Sequence, residues 1–226
     1  MGFPRFRAVA DHALLVEFSE VFSDSAHRSV LRLDRVLAAH PFTGFAESVP
    51  AYVSLLVDFD PLVTDHRLAK AALRALLAAE HGDPVEGRLH EVLVCYDGDL
   101  ARDLVQVAVL TGQTGEAVIA THLAGDYRVA MYGFAPGYAY LSGVPSEIHL
   151  PRKAAAVRGV AEGSVIVAGA QCLVTTLTMP TGWWVLGRSP AKVLTGDADR
   201  PFLFDVGDAV RFRRISRAEF DRCGNA

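Results

Sequence analysis

The sequence predicts an α+β protein with two parts: a small α+β domain over residues 1–87 and a β-rich domain over residues 88–226. In the first part, short apolar runs alternate with two helical patterns. In the second, residues 163–187 contain no Asp, Glu, Lys or Arg, and glycines and prolines divide this run into short segments rich in Val, Ile, Thr and Trp. Such segments are typical of consecutive buried strands. A membrane span is not expected, because Gln171 and the threonines would be costly in lipid.

The order of elements in the first domain is strand, helix, strand, strand, helix, strand. This order predicts the split-βαβ, ferredoxin-like arrangement. The boundary near Gly87 leaves open whether the last strand closes this domain or begins the next. The strands are predicted at residues 13–18, 45–49, 52–59 and 90–96, and the middle two are joined at Pro50. The first helix is predicted from a cap at Asp24 or Ser25 to Pro41, and the second from a cap at Thr64 to Gly82.

The second domain begins with two short helical patterns, at residues 100–110 and 114–123, separated by Thr111-Gly112. The glycine-punctuated β region then continues to Arg213. Its last strand follows a turn at Gly207-Asp208. The remaining residues predict a surface helix.

Composition excludes several classes of protein. The formal net charge is −4 and the sequence shows no basic face, so neither nucleic acid nor an anionic membrane is expected as a partner. The three cysteines are far apart and include no CxxC pair, which supports neither a disulfide framework nor a metal site. The N-terminus lacks a signal-peptide pattern, so we expect a cytoplasmic protein.

Motifs that bind nucleotides or carry common hydrolytic chemistry are missing from the sequence. We therefore expect no tightly bound cofactor. His122 and Tyr127 are five residues apart across a predicted helix end, where both could reach a cleft as proton-transfer or hydrogen-bonding groups. The alternative is a histidine stabilised by the helix dipole beside a core tyrosine.

The segment Gly133-Phe134-Ala135-Pro136-Gly137 predicts a tight loop. Glycine allows the backbone to approach a ligand closely and proline stiffens the turn, so the loop can present N–H groups to a carboxylate or an oxyanion. A corner of a β-barrel is an equally good interpretation.

Three arginines flank the uncharged strands, and the guanidinium fork suits carboxylate recognition. Arg188 ends a long apolar pattern and is the strongest candidate, ahead of Arg152 and Arg158. Gln171 is the strong amide donor within the uncharged run, where it either ties strands together or faces a ligand. Cys172 beside it has apolar neighbours, which favours an inert buried thiol.

The block HLAGDYRVAMYGFAPGYAYLSGVP at residues 122–145 resembles the H…Y.V…GF.PGF.YL.G pattern of the 5-oxoprolinase B-subunit family, also called the KipI kinase-inhibitor or allophanate hydrolase subunit 1 family. LPRK at 150–153, EGSVIVAGAQ at 162–171, PTGWWVLGRSP at 180–190 and VGDAVRF at 206–212 resemble further motifs in the same order. The family's Q-T-G is here Gln171-Cys172-Leu173, a departure on a loop near the expected cleft.

This resemblance implies an N-terminal α+β domain followed by a cyclophilin-like β-barrel. It also implies a B subunit that pairs with a C-type subunit and works with an A-type subunit to open 5-oxoproline to glutamate, with ATP as co-substrate of the complex. Under this hypothesis His122 assists proton transfer and Arg188 pairs with a carboxylate as the second catalytic residue. The expected substrate-binding residues are Tyr127, Gly133, Phe134, Pro136, Gly137, Arg152 and Gln171.

Three alternatives stay open at this point. A regulatory protein that docks on a sensor histidine kinase would need an exposed apolar patch, for which Trp183 or Trp184 are candidates. A subunit of a urea carboxylase or allophanate hydrolase would use the same cleft for another substrate. A peptidyl-prolyl isomerase is suggested by the fold alone.

Overall fold

Over residues 2–79, a four-stranded antiparallel sheet and two helices build the first of two units. The chain divides into Met1–Glu86 and Gly87–Ala226, and the computed structural model describes residues 2–79 and 87–224. The elements of the first unit are β1 (Arg5–Val9), β2 (Ala13–Glu17), α1 (Asp24–Ala39), β3 (Phe45–Ala51), β4 (Ser54–Phe59) and α2 (His66–Ala78). Its strands follow the order β1-β2-β4-β3.

The two predicted helices are present, but their caps differ from the prediction. Ser23 caps α1 and Asp65 caps α2, each accepting a hydrogen bond from the N–H three residues further on. The predicted caps, Asp24 or Ser25 and Thr64, are therefore wrong by one or two residues. Gly82, the predicted end of the second helix, lies outside the described residues.

The turn between β3 and β4 also differs from the prediction. Pro50 lies within β3, opposite Leu55, and does not form the turn. The chain reverses at Tyr52, which has a φ of 37°. A left-handed conformation at a tyrosine has no strong local signal in the sequence, since glycine or asparagine is the usual residue there.

The ferredoxin-like assignment of the first unit is not confirmed. That arrangement would place the strand predicted at residues 90–96 beside β2. The structure places β1 there instead, and the predicted strand, β5 (Leu89–Cys95), pairs within the second unit. Sequence patterns carry no signal for β1, because Arg5 and Arg7 interrupt its apolar residues and most of the strand is exposed.

Residues 87–224 of the second unit contain eight further strands. They are β6 (Tyr127–Tyr132), β7 (Ala139–Ser142), β8 (Val157–Val160), β9 (Ser164–Ala168), β10 (Gln171–Val174), β11 (Met179–Thr181), β12 (Trp184–Arg188) and β13 (Ala209–Ile215). β8 and β11 pair with each other as a separate two-stranded ribbon.

The other six strands and β5 form a closed seven-strand β-barrel, in agreement with the β-rich composition. The strands follow the order β6-β13-β5-β12-β9-β10-β7, and pairing of β6 with β7 closes the ring. β13 and β5 are parallel and the other pairs are antiparallel.

Alternate residues of every barrel strand fill the interior. Side chains of a strand point to opposite faces in turn, so one set meets inside the barrel and the other lies outside. Representative interior residues, one from each strand, are Val92, Val129, Leu141, Val165, Cys172, Leu186 and Phe212. The interior is thus a packed core rather than a channel.

A second apolar layer covers part of the outside of the barrel. We call it the outer-face cluster; its buried members are Tyr138, Val160, Ile166, Ala168, Leu173, Trp183 and Val185. Because this layer and the interior core enclose β9 from both sides, all five of its residues are buried. A strand buried on both faces carries no charge, which accounts for part of the uncharged run.

The described part of the second unit also holds three helices: α3 (Leu104–Thr111), α4 (Gly115–Leu123) and α5 (Arg217–Gly224). Short 3₁₀ turns precede α3 at Gly98–Ala101 and follow β7 at Ser146–Ile148. The two helical patterns and the C-terminal surface helix predicted from the sequence are therefore confirmed. Over residues 2–79 and 87–224, no helix combines the length and the apolar character needed to cross a membrane.

Asp208 fastens the start of two parallel barrel strands. Its buried carboxylate accepts hydrogen bonds from the backbone N–H of Arg88 at 2.7 Å, from Nε2 of His90 at 2.7 Å and from the N–H of Asp205 at 2.9 Å. Removing this buried carboxylate leaves three donors without their acceptor in a partly buried site, which is more costly than the loss of an exposed hydrogen bond.

We predict that Asp208→Ala lowers the free energy of unfolding of the barrel by about 3 kcal/mol. Both tryptophans of the chain lie in the second unit, so urea denaturation followed by tryptophan fluorescence measures this change. Asp199→Ala, at an exposed position, is the matched control and should change stability by less than about 0.5 kcal/mol. Equal effects of the two substitutions would contradict the anchoring role.

Candidate functional site

The structure distributes the predicted site residues over three places in the second unit. His122 and Tyr127 lie inside the barrel. The loop at residues 133–137 and Arg152 border a pocket on the outer face. Arg188 lines a different and larger pocket. The residues predicted as one cleft are therefore separated.

His122 is completely buried near the C-terminal end of α4. Its Nδ1 lies 2.8 Å from the hydroxyl of Tyr96, and its Nε2 lies 3.7 Å from Sγ of Cys172. The ring centroid of Phe212 is 4.7 Å from that of His122. Burial lowers the pKa of His122 to about 3, so the imidazole is neutral in the folded protein.

Tyr127 and Cys172 share this enclosed setting. The hydroxyl of Tyr127 donates to the carbonyl of His122 at 2.8 Å and so ties β6 to the end of α4. Burial raises the pKa of both Tyr127 and Cys172. This geometry corresponds to the structural alternative for His122 and Tyr127. His122 is enclosed in this geometry and does not reach the surface, where a substrate would have to meet it for the expected proton transfer.

The loop between β6 and β7 has an unusual backbone. Phe134 adopts a φ of 71° and is nevertheless 80% exposed, while Gly137 has a φ of 69°. A Cβ at Gly137 would come within 2.8 Å of the Leu194 side chain and 3.2 Å of the Thr176 side chain, and its positive φ would strain any other residue, so glycine is favoured here. An exposed phenylalanine in a left-handed conformation gains no burial that would offset the strain, which is typical of a functional loop.

Internal hydrogen bonds fix the shape of this loop. Ala135 donates its N–H to Gly133, Tyr138 donates to Ala135, and the hydroxyl of Thr176 donates to the carbonyl of Pro136 at 2.8 Å. Within the described part of the chain, no hydrogen bond uses the N–H groups of Phe134 and Gly137. Phe134 is exposed, so its N–H is available to an oxygen atom of a ligand, whereas Gly137 is buried against Leu194 and Thr176.

A pocket of about 200 Å³ opens beside this loop on the outer face. Phe134 and Arg152 border it, and Trp183 lies in its wall. The guanidinium of Arg152 lies 5.5 Å from the ring centroid of Trp183, within range of a cation–π contact. The remaining lining comes mainly from apolar groups, namely Tyr138, Tyr140, Ile166, Leu173, Met179, Pro180 and the backbone of Gly182. We call this the Arg152 pocket.

Gln171 is on the same side of the sheet as this pocket. Side chains two residues apart in a strand share a face, and Leu173, which lines the pocket, follows Gln171 at that spacing. Gln171 is half-buried. Cys172 points the other way, into the barrel, and is the buried thiol that its apolar neighbours predict.

Arg188 belongs to a separate pocket of about 460 Å³, which also involves Glu162, Lys192 and Phe220. Its Nε donates to the carbonyl of Glu162 at 3.0 Å, and its guanidinium lies 5.9 Å from the ring centroid of Phe220. The pocket combines two cations with one carboxylate, so it could hold an anion. We call it the Arg188 pocket.

Sequence reasoning missed two residues that support the Arg152 pocket. Lys153 and Asp103 form an ion pair with an Nζ–Oδ2 distance of 2.5 Å. Fifty positions separate them along the chain, and a pairing over that separation has no local signal. Trp183, a candidate for an exposed apolar patch, is only 5% exposed and forms a wall of the pocket.

The carboxyltransferase domain family, subdomains C and D, matches residues 4–204 of the chain. This chain belongs to that family. Curated relatives named as the B subunit of 5-oxoprolinase include the Bacillus subtilis protein, 32% identical over 94% of this chain and 93% of its own length, and the Escherichia coli O157:H7 protein, 30% identical over 90% and 93%. The family resemblance inferred from the sequence is confirmed.

Solved structures show the same architecture. TTHA0988 is 35% identical with a TM-score of 0.79, over 91% of this chain and 40% of its own chain, so this chain spans less than half of that protein. PH0987 from Pyrococcus horikoshii is 30% identical with a TM-score of 0.57, over 96% of this chain and 100% of its own. The Kluyveromyces lactis urea carboxylase, 18% identical with a TM-score of 0.75 over 96% and 22%, shares the fold.

The buried state of His122 predicts a specific pH dependence of stability. The unfolded chain binds a proton at His122 near pH 6.5, whereas burial lowers the pKa of the folded state to about 3. The contribution of His122 to the free energy of unfolding is fully present above about pH 6.5. It is lost as the pH falls towards 3, by at most about 1.4 kcal/mol per pH unit. Between pH 6 and 4, the free energy of unfolding should therefore depend less steeply on pH in His122→Gln than in the wild type. The difference in slope corresponds to about one bound proton.

Urea denaturation across this pH range, followed by tryptophan fluorescence, measures the slope. His12→Gln is the control, because the Asp11 carboxylate raises the pKa of the exposed His12, a shift of the opposite sign. Its removal should not flatten the slope. An unchanged slope in His122→Gln would show that His122 is accessible to protons in the folded protein.

Proposed function

We propose that this chain is the B subunit of an ATP-dependent 5-oxoprolinase-like complex that opens 5-oxoproline to glutamate with A-type and C-type partner subunits. The observation that carries the proposal is the match to curated 5-oxoprolinase B subunits over nearly the whole of both chains. ATP is a co-substrate of the complex in this proposal, and no cofactor is tightly bound. The cytoplasm, where ATP is available, is the proposed location.

The Arg152 pocket suits the chemistry of this substrate. 5-Oxoproline is a five-membered cyclic amide that carries one carboxylate. In our proposal Arg152 pairs with the carboxylate, while the free N–H of Phe134, which borders the pocket, binds the amide oxygen. Gly133, Pro136 and the buried Gly137 shape the loop that presents this donor. Gln171 provides a further polar group on the same face, and the apolar walls exclude water.

Three predicted residues have different roles in this proposal. Arg188 is a second candidate for anion binding, because its pocket is larger and holds Lys192 as well. His122 and Tyr127 maintain the barrel interior beneath the site and do not contact the substrate, since His122 is completely enclosed.

A regulatory binding protein is the second candidate function, and one observation favours it. Phe134 is 80% exposed on a strained backbone, which also suits insertion into a partner protein. The apolar patch for such docking would include Phe134 and would leave out Trp183, which is buried. The two functions differ in whether a small molecule binds at the loop.

We predict that Arg152→Gln raises the KM for 5-oxoproline of the assembled complex by roughly 10- to 100-fold, because a charge-assisted hydrogen bond is lost. The measurement is 5-oxoproline-dependent ATP hydrolysis by this chain with its A-type and C-type partners. Arg158→Gln, at an exposed position on β8, is the matched control and should leave KM unchanged. Arg188→Gln in the same assay shows which of the two pockets binds the substrate.

A stably assembled wild-type complex that hydrolyses no ATP in response to 5-oxoproline would overturn the proposed substrate. Urea-type substrates and a kinase autophosphorylation assay would then distinguish the alternatives. Loss of activity in Arg188→Gln alone, with Arg152→Gln unaffected, would move the site to the Arg188 pocket.

A further prediction separates strain from function at Phe134. Phe134→Gly should raise the free energy of unfolding by up to about 1 kcal/mol, because glycine adopts a φ near 71° without strain. The same substitution should lower the activity of the complex. Phe134→Ala is the matched comparison: it removes the ring but keeps the strain, so it should not be stabilised. Full activity in both variants would show that the exposed ring has no role in the reaction.

A further inference from the structure

Arg152 lies on a main-chain segment that is held on both sides. The carbonyl of Leu150 accepts a hydrogen bond from the N–H of Gly169 at 2.7 Å, and the carbonyl of Pro151 accepts one from Nε1 of Trp184 at 2.8 Å. On the other side, the N–H of Lys153 donates to the carbonyl of Gly182 at 2.7 Å. The backbone that carries Arg152 is therefore connected to the strands that form the pocket.

The Lys153 side chain is largely shielded from water in spite of its charge. It is 11% exposed and the side chain of its partner Asp103 is 16% exposed, with an Nζ–Oδ2 distance of 2.5 Å. The ammonium also lies 5.2 Å from the ring centroid of Trp184. Lys153 and Arg152 are adjacent but face different environments, since Arg152 is exposed at the rim of the pocket.

Asp103 does not cap the helix that it precedes. It occupies the N-cap position of α3, yet its side chain makes no capping hydrogen bond. Its carboxylate instead accepts from the N–H of Val185 at 2.8 Å as well as from Lys153, and its own N–H donates to the carbonyl of Val185 at 3.1 Å. These bonds fix the carboxylate to β12, the strand that begins at Trp184 beside the pocket.

We propose that the Asp103–Lys153 ion pair is a positioning device that holds Arg152 at the pocket. The pair connects β12 to the residue next to Arg152 through contacts that are shielded from water. It therefore restricts the position of the Arg152 main chain, from which the flexible side chain extends. Neither residue reaches the substrate; both act through Arg152. The catalytic consequence rests on the proposed function, because a misplaced binding group weakens binding even where the group itself is intact.

Three variants test the proposal. Lys153→Met keeps the apolar stem over Trp184 but removes the charge, Asp103→Asn keeps an acceptor for Val185, and Lys153→Arg restores the cation. Lys70→Met is the matched control, since Lys70 lies 5.5 Å from the ring centroid of Phe6 and no carboxylate pairs with it among residues 2–79.

Hydrogen exchange of the isolated chain is the first measurement. The backbone amide at position 153 should exchange about tenfold faster in Lys153→Met and in Asp103→Asn than in the wild type. The backbone amides of β9 should keep their exchange rates. Lys153→Arg should restore slow exchange and Lys70→Met should have no effect. Unchanged exchange at Lys153 in both charge-removing variants would overturn the positioning role.

The assembled complex supplies the second measurement. KM for 5-oxoproline should rise about tenfold in the same two variants with kcat changed less than about threefold, and Lys153→Arg should recover most of the loss. Faster exchange with unchanged KM would mean that the pair holds the segment but that Arg152 does not bind the substrate. A wild-type complex without 5-oxoproline-dependent activity would refute the proposed substrate, and the exchange result would still decide the positioning role.

Discussion

Closure of the barrel by the pairing of β6 with β7 is the constraint on which the rest of the second unit depends. A closed seven-strand ring leaves no free edge, and its interior is narrow enough for side chains to fill it completely. Every residue that points inward is therefore withdrawn from solvent. His122 shows the consequence, because burial lowers the pKa of its imidazole far below the ordinary value.

In our proposal the chemistry takes place on the outer face, where the structure provides what the interior cannot. The outer-face cluster supplies an apolar wall, the left-handed Phe134 and the crowded Gly137 shape a loop with a free N–H at Phe134, and Arg152 adds a cation. Arg152 itself is exposed, so its placement depends on its main chain. The shielded ion pair of the neighbouring Lys153 with Asp103 fixes that main chain to the same barrel strand that adjoins the pocket.

Local patterns in the sequence predicted the elements well and their assembly only in part. The uncharged run at residues 163–187 identified the buried strands, because strands covered on both faces exclude charge. The two arginines of β1 interrupt its apolar pattern, so the sequence does not predict that strand. The strand at residues 90–96 has no local feature that shows it belongs to the barrel. The sequence places His122 and Arg188 in one predicted cleft because both flank the glycine-rich region. Their true surroundings depend on which face of the sheet each residue occupies, and the ion pair of Asp103 with Lys153 joins segments too distant for any periodic signal.

Hydrogen exchange of the assembled complex, with and without 5-oxoproline, tests the central claim most directly. If the substrate binds in the Arg152 pocket, the amides of Phe134, Arg152 and Lys153 should exchange more slowly in its presence, because the ligand binds the free N–H of Phe134 and shields Arg152 and its neighbour from water. Residues 189–194 of the Arg188 pocket should be unaffected. Protection confined to residues 189–194, or no protection in a verified complex, would contradict this account.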